Sequence, residues 1–246
     1  MSNLDLLKKL IKIESISPND NGCFDVIKQQ FEGLDFSFEE TSYKNISNLV
    51  ITNGNSKNKT FCFLGHTDVV PPGPESEWTV PPFSGEIIDN KIYGRGAADM
   101  KGGVACFISA LKEFLSEYKD PSFNIMVLLN SNEEGKLENG KVDRVINEMI
   151  DKDKFIDFCL IGEPSSSKKV GDVIRIGRRG SLSGNLKVYG IQGHVAYPKQ
   201  ALNPILGMGK TLEELKNMEW DRGNENFEPT SFQVSNIKSG TGAENV

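Results

Sequence analysis

Apolar residues near the start of the chain fall at Leu4, Leu7, Leu10 and Ile11. That spacing predicts a helix with Asn3 as its N-cap and Asp5 in its first turn. Residues Asn48 to Thr52 and Thr60 to Leu64 carry strand-forming runs separated by the polar turn 53–58. Val104, Phe107, Ile108, Leu111, Phe114 and Leu115 repeat with a 3.6-residue period, so a long helix is expected over 102–118. Apolar runs at Ile125 to Leu129 and Phe155 to Ile161 read as buried strands, with a helix at Val142 to Ile150 between them. Strands alternating with helices predict an α/β fold: a mixed, largely parallel sheet flanked by helices.

The pattern changes after about Gly180. Ser183 to Tyr189 alternates as a half-exposed strand does, a helix follows with Leu202, Ile205, Leu206, Leu212 and Leu215 on one face, and another strand is expected near Phe232 to Ile237. This divides the chain into a larger α/β domain, residues 1–179, and a smaller α+β domain, residues 180–246.

Composition narrows the function classes. The 246 residues are 25% charged and 37% apolar, ordinary for a globular protein, and no apolar run approaches membrane-spanning length. A net charge of −6 argues against a nucleic-acid binder. Cys23, Cys62, Cys106 and Cys159 show no CxxC spacing, and the N-terminal segment has an early acid and no small-residue cleavage site, so a reduced, cytoplasmic protein is expected.

The chemistry gathers at strand ends. Phe61-Cys-Phe-Leu-Gly runs into His66-Thr-Asp68, Ile125-Met-Val-Leu-Leu into the segment ending Glu133-Glu134, and Phe158-Cys-Leu-Ile-Gly into Glu163. In open α/β sheets ligands bind beyond the carboxyl ends of strands. Asp99 sits just before the long helix. One imidazole and five carboxylates in one crevice repel each other unless a cation is present, and His with carboxylates suits zinc. In His66-x-Asp68 the two side chains point the same way in extended chain, so Asp68 can accept the second imidazole N–H. Adjacent Glu133 and Glu134 are expected to diverge, one toward a metal and one toward the attacking water. Gly94-x-Gly96 half resembles a dinucleotide turn, but Asp99 replaces the third glycine and would face a pyrophosphate.

Gly65-His-Thr-Asp-Val-Val-Pro-Pro-Gly73, Gly94-Arg-Gly-Ala-Ala-Asp-Met-Lys-Gly-Gly103, Ser131-Asn-Glu-Glu-Gly135 and Ile161-Gly-Glu-Pro164 resemble the motifs of peptidase family M20. Gly177-Arg-Arg-Gly-Ser-Leu182, Gly190-Ile-Gln-Gly-His-Val-Ala-Tyr-Pro198 and Gly240-Thr-Gly-Ala-Glu-Asn-Val246 narrow the resemblance to its desuccinylase branch; acetylornithine deacetylases share only the metal motifs. The resemblance implies hydrolysis of N-succinyl-LL-2,6-diaminopimelate to succinate and the free diamino acid. It implies two zinc ions per subunit, with cobalt or manganese as substitutes, in a homodimer. His66, Asp99 and Glu163 would hold one ion, and Asp99 with Glu134 the other. Asp68 would orient His66, and Glu133 would act as general acid/base. His194 would reach the partner subunit's site, and Arg178, Tyr197 and Asn245 would contact substrate. Lys168, Lys169, Arg175, Arg178 and Arg179 form a basic run that could attract a polycarboxylate.

The resemblance also implies a second-metal histidine farther along a longer chain, whereas this sequence has only His66 and His194. The expectation is therefore one tightly held metal and reduced activity. A non-catalytic, metal-binding or dimerising remnant and a related deacylase with another acyl group are the competing readings.

Overall fold

The computed structural model describes residues 2–54, 58–135, 142–152, 154–240 and 242–246. It divides into two units, 1–174 and 175–246, and each is described by itself.

The first unit opens with helix α1 (Asn3–Ile11). Its N-cap is Ser2, not Asn3: the Ser2 hydroxyl accepts from the Asp5 amide at 3.2 Å, and the Asp5 carboxylate accepts in return from Ser2. A serine one residue earlier completes this reciprocal box and displaces asparagine. Helix α2 (Cys23–Lys28) follows, then the antiparallel strands β1 (Ser37–Tyr43) and β2 (Ile46–Thr52). Strand β3 (Thr60–His66), the short hairpin β4 (Glu86–Ile88) and β5 (Lys91–Tyr93), helix α3 (Lys101–Glu117) and strand β6 (Asn124–Asn130) come next. Helix α4 (Val142–Ile150) and strand β7 (Phe158–Ile161) complete the unit. The turn expected at 53–58 includes residues 55–57, which lie outside the described residues.

The main sheet has the order β1-β2-β6-β3-β7. β2 meets β6 antiparallel, while β3 runs parallel to both β6 and β7. Every residue of β6 is buried, because the two faces of the sheet are covered by different helices. Ile125, Val127 and Leu129 pack with α1, α2 and α3; Met126 and Leu128 pack with Val145 and Met149 of α4. That double coverage is why the strand reads as an unbroken apolar run.

β7 departs from expectation. The apolar run predicts a buried strand, yet Phe158, Leu160 and Ile161 are 60%, 49% and 55% exposed. Among the described residues β7 pairs only with β3, so one edge and much of both faces remain uncovered.

The second unit contains helix α5 (Pro204–Asn217), capped by Asn203, whose side chain accepts from the Ile205 and Leu206 amides. Proline at the first helical position suits this start. The strands expected at 183–189 and 232–237 are absent: among the described residues the unit's isolated bridge, Ile191 with Leu202, and its backbone pair Gly193–Val246 both lie outside these segments. A strand exists through its partner, and among the described residues neither segment has one; Leu186 and Ile237 are correspondingly exposed.

Candidate metal centre

Three chain segments bring the acidic groups to His66. β3 ends at His66, which is buried, as are Thr67 and Asp68 beyond it. The His66 Nδ1–H donates to the main-chain carbonyl of Asp68 at 2.9 Å, since a carbonyl can only accept. This leaves Nε2 facing two carboxylates, Asp99 Oδ1 at 3.2 Å and Glu163 Oε1 at 3.3 Å.

Asp99 arrives through the loop that starts α3. Gly96 holds φ +80° there, and a Cβ would meet Val69 Cγ1 at 2.5 Å, so the loop requires glycine at that point. Glu163 arrives through the turn after β7. The first turn of α3 lies so close to it that a Cβ on Gly103 would sit 2.4 Å from the Gly162 carbonyl oxygen. These contacts bring the Asp99 and Glu163 loops to one imidazole.

Asp68 does something the sequence did not suggest. Its buried carboxylate lies 3.5 Å from His66 Nδ1, a longer approach than the main-chain carbonyl makes. It accepts instead from the backbone amides of Glu133 and Glu134, each at 3.1 Å, and from the Ser17 hydroxyl. The turn after β6 is folded around this one carboxylate. Glu133 and Glu134 each bring an oxygen to this place: these atoms and a His66 nitrogen lie within 4.8 Å of one another. Ser17 carries no signal in the sequence: it lies 51 residues from Asp68, in a segment without periodic pattern.

Two sets of donors therefore share one imidazole: His66 with Asp99 and Glu163, and His66 with Glu133 and Glu134. Burial alone would push the His66 pKa down, but Asp68, Glu163 and Glu133 outweigh it and the net direction is up. Burial, with Asp99 beside it, pushes the Glu163 carboxyl up to about 7. Burial also raises Glu134, with Asp99 adding to the effect. Acids that resist ionising around an imidazole that resists losing its proton mark a site short of positive charge. A divalent cation supplies that charge, and a nitrogen with carboxylate oxygens fits zinc, cobalt or manganese.

The other residues anticipated at a site fall in the second unit. Gly193 and Val246 exchange backbone hydrogen bonds of 3.2 and 3.0 Å, which brings the neighbours His194 and Asn245 onto adjoining segments. His194 Nδ1 accepts from the Ala196 amide at 3.0 Å, and its ring lies 5.6 Å from that of Tyr197. Among the described residues the Asn245 Oδ1 is buried without a hydrogen-bond partner, while Arg178 is exposed.

Comparison with known proteins agrees with this architecture. The model of peptidase family M20/M25/M40 matches residues 62–241. Succinyl-diaminopimelate desuccinylases from Psychromonas ingrahamii and Methylococcus capsulatus are each 49% identical to this chain over 243 residues, 99% of it. The chain spans 64% of the length of those relatives. Among solved structures, an aminopeptidase PepT from Bacillus cereus aligns with TM-score 0.65 and 17% identity, over 99% of this chain and 62% of that one. An M20 family metallo-carboxypeptidase from Sulfolobus solfataricus aligns with TM-score 0.61 and 22% identity, over 89% and 50%. These two establish likeness of fold.

Proposed function

The chain belongs to peptidase family M20/M25/M40, and from that premise we propose that it carries the catalytic centre of a metal-dependent amidohydrolase acting on N-succinyl-LL-2,6-diaminopimelate. The observation that carries the reading is the pair of carboxylates, Asp99 and Glu163, meeting His66 Nε2 at 3.2 and 3.3 Å, with the Glu133–Glu134 turn beside them. The substrate is taken from the 49%-identical relatives.

His66, Asp99 and Glu163 would hold the metal, and Glu134 would extend the donor set toward a second ion in the whole protein. When bound, the metal supplies Lewis-acid chemistry at the scissile amide carbonyl. The chain's own groups then do the following. The Asp68 main-chain carbonyl fixes the His66 tautomer, so that Nε2 offers its lone pair. The Asp68 carboxylate and Ser17 hold the turn that presents Glu133. Glu133, the more exposed of the two glutamates, takes a proton from the attacking water and returns it to the leaving amine nitrogen. Residues 1–179 would form the catalytic part and 180–246 the first part of a lid and dimerisation domain. There His194, Arg178, Tyr197 and Asn245 would contact the substrate's carboxylates and oxyanion, His194 acting across a homodimer. The amino-acid-precursor substrate and the free thiols favour a cytoplasmic setting.

The test is Glu133→Gln in the zinc-loaded chain, following release of primary amine. Hydrolysis should fall by about 10²–10⁴-fold with metal content unchanged; equal turnover removes Glu133 from the mechanism. One observation favours a second reading, metal binding without turnover: His66 is the one imidazole at the centre among the described residues of the first unit. A zinc-loaded wild-type chain that releases no amine selects it, and preference for an acetyl over a succinyl substrate selects a related deacylase.

A further inference from the structure

We propose that Cys62 and Cys159 form a hydroperoxide-responsive dithiol that closes to a disulfide across β3 and β7.

The register of the parallel pair sets Cys62 directly opposite Cys159. Residues opposite one another on neighbouring strands share a face of the sheet, and the strands lie about 4.8 Å apart. That separation falls inside the Cα–Cα window of about 4.4–6.8 Å in which two cysteines can be bridged. Their surroundings differ in the way such a pair requires. Cys159 lies on the uncovered edge strand and is exposed. Cys62 is buried beneath α4, among Val50, Met126 and Leu128.

The Cys62 thiol donates to the Phe63 carbonyl at 3.5 Å, and the two neighbouring thiols move each other apart in acidity: Cys62 goes up, helped by its burial, and Cys159 comes down to about 7. At neutral pH about half of Cys159 is then thiolate, against about 3% for an ordinary exposed thiol. The remaining cysteines lack this arrangement. Cys23 is buried and its thiol is pushed up to about 11, and Cys106 is exposed on α3 with no cysteine in register.

The chemistry balances with one hydroperoxide. The Cys159 thiolate attacks the peroxide oxygen; the S–O bond forms, the O–O bond breaks, and the alcohol or water leaves with a proton. Cys62 sulfur then attacks the sulfenic sulfur of Cys159; the S–S bond forms, the S–O bond breaks, and the departing oxygen takes the Cys62 proton as water. Two thiols are oxidised and one peroxide reduced. Each cysteine stands four residues before a proposed metal donor, Cys62 before His66 and Cys159 before Glu163. The bridge would thus tie together the two strands that deliver those donors. Its formation does not depend on the hydrolase reading.

The experiment treats the full chain at pH 7, free of reductant, with one equivalent of hydrogen peroxide, traps remaining thiols with N-ethylmaleimide and maps the unreduced digest by mass spectrometry. The expected result is a Cys62–Cys159 linked peptide within one chain, lost on adding dithiothreitol. Cys159 should be consumed about three- to fourfold faster than an unperturbed thiol, the larger thiolate fraction being partly offset by the lower nucleophilicity of a more acidic thiolate. Cys159→Ser, at an exposed position, should abolish the link. Cys62→Ala should leave a dimedone-reactive sulfenic acid on Cys159. Equal oxidation of Cys106 and Cys159 without the linked peptide overturns the proposal, and so does a disulfide that joins Cys159 residues of two chains.

Discussion

Asp68→Asn tests whether one carboxylate holds the metal centre together. The substitution preserves shape and the main-chain carbonyl that His66 contacts, but leaves one acceptor oxygen where there were two. In either orientation of the amide, an NH₂ group faces a donor: the Glu133 amide, or the Glu134 amide with the Ser17 hydroxyl. Hydrogen bonds to an ionised acceptor contribute about 1.5–3 kcal/mol each and neutral ones about 0.5–1.5. Losing one and neutralising the others removes about 3–6 kcal/mol. Relief from burying the charge, and water reaching the partly exposed Glu133–Glu134 turn, return a share of that. The net loss should be about 2–4 kcal/mol in urea unfolding of the metal-free chain at pH 7. Zinc affinity should fall by about 10–100-fold in a competition titration, as when groups that orient metal ligands are removed. The His66 pKa should drop, because the Asp68 charge is among the causes that raise it, while Nδ1 stays the protonated nitrogen in ¹⁵N spectra. Stability within about 0.5 kcal/mol of wild type, or a stability loss with zinc affinity intact, would refute the idea that this carboxylate positions the donors.

Other consequences follow from the same geometry. Glu163 titrates near 7 in the folded chain against 4.5 ordinarily, so the folded state binds the extra proton and apo stability declines as pH rises from about 4.5 to 7. Glu163→Gln should remove that decline, giving a metal-free melting temperature above wild type at pH 8 while zinc binding is lost; a parallel pH profile in wild type and variant contradicts it. Metal and protons compete for the same groups, so wild-type zinc affinity should weaken steadily below about pH 7, read by isothermal titration in two buffers for released protons. Zinc loading and dialysis should leave one ion per chain, because Nδ1 is engaged and Nε2 can serve one metal; two retained ions would reveal a further strong donor. Lys101 is buried and its ammonium donates at 2.8 Å to the carbonyls of Leu10 and Ile13, at the end of α1. Lys101→Met should cost about 1–3 kcal/mol in denaturant unfolding, and no loss would mean those carbonyls find other donors.

The parts of this molecule that are legible in its sequence are those where local pattern and tertiary surroundings agree. β6 and α3 announce themselves because one is covered on both faces and the other on a single stripe. β1 was not anticipated: Ser37–Tyr43 is mostly polar and exposed, and it is a strand because β2 pairs with it through a turn in which Lys44 adopts φ +55°. Asn45 is the one turn-forming residue there, and no glycine or proline accompanies it. The opposite error occurs at 183–189, where alternation is plain but no neighbouring strand is present among the described residues.

The candidate metal centre divides along the same line. Its acids and histidine could be found because each follows an apolar strand or precedes a helix, a relation visible in one dimension. Their division of labour could not, because it depends on which atom of Asp68 faces which neighbour. Two residues after a histidine, a main-chain carbonyl and a carboxylate are equally plausible partners for Nδ1. The choice falls to the carbonyl because the Glu133 and Glu134 amides, 65 and 66 residues away, need the carboxylate more: they are backbone donors in a tight turn with no ladder to join. A spacing motif can therefore locate a candidate ligand, but the assignment of its supporting atoms waits on the competing demand from distant backbone.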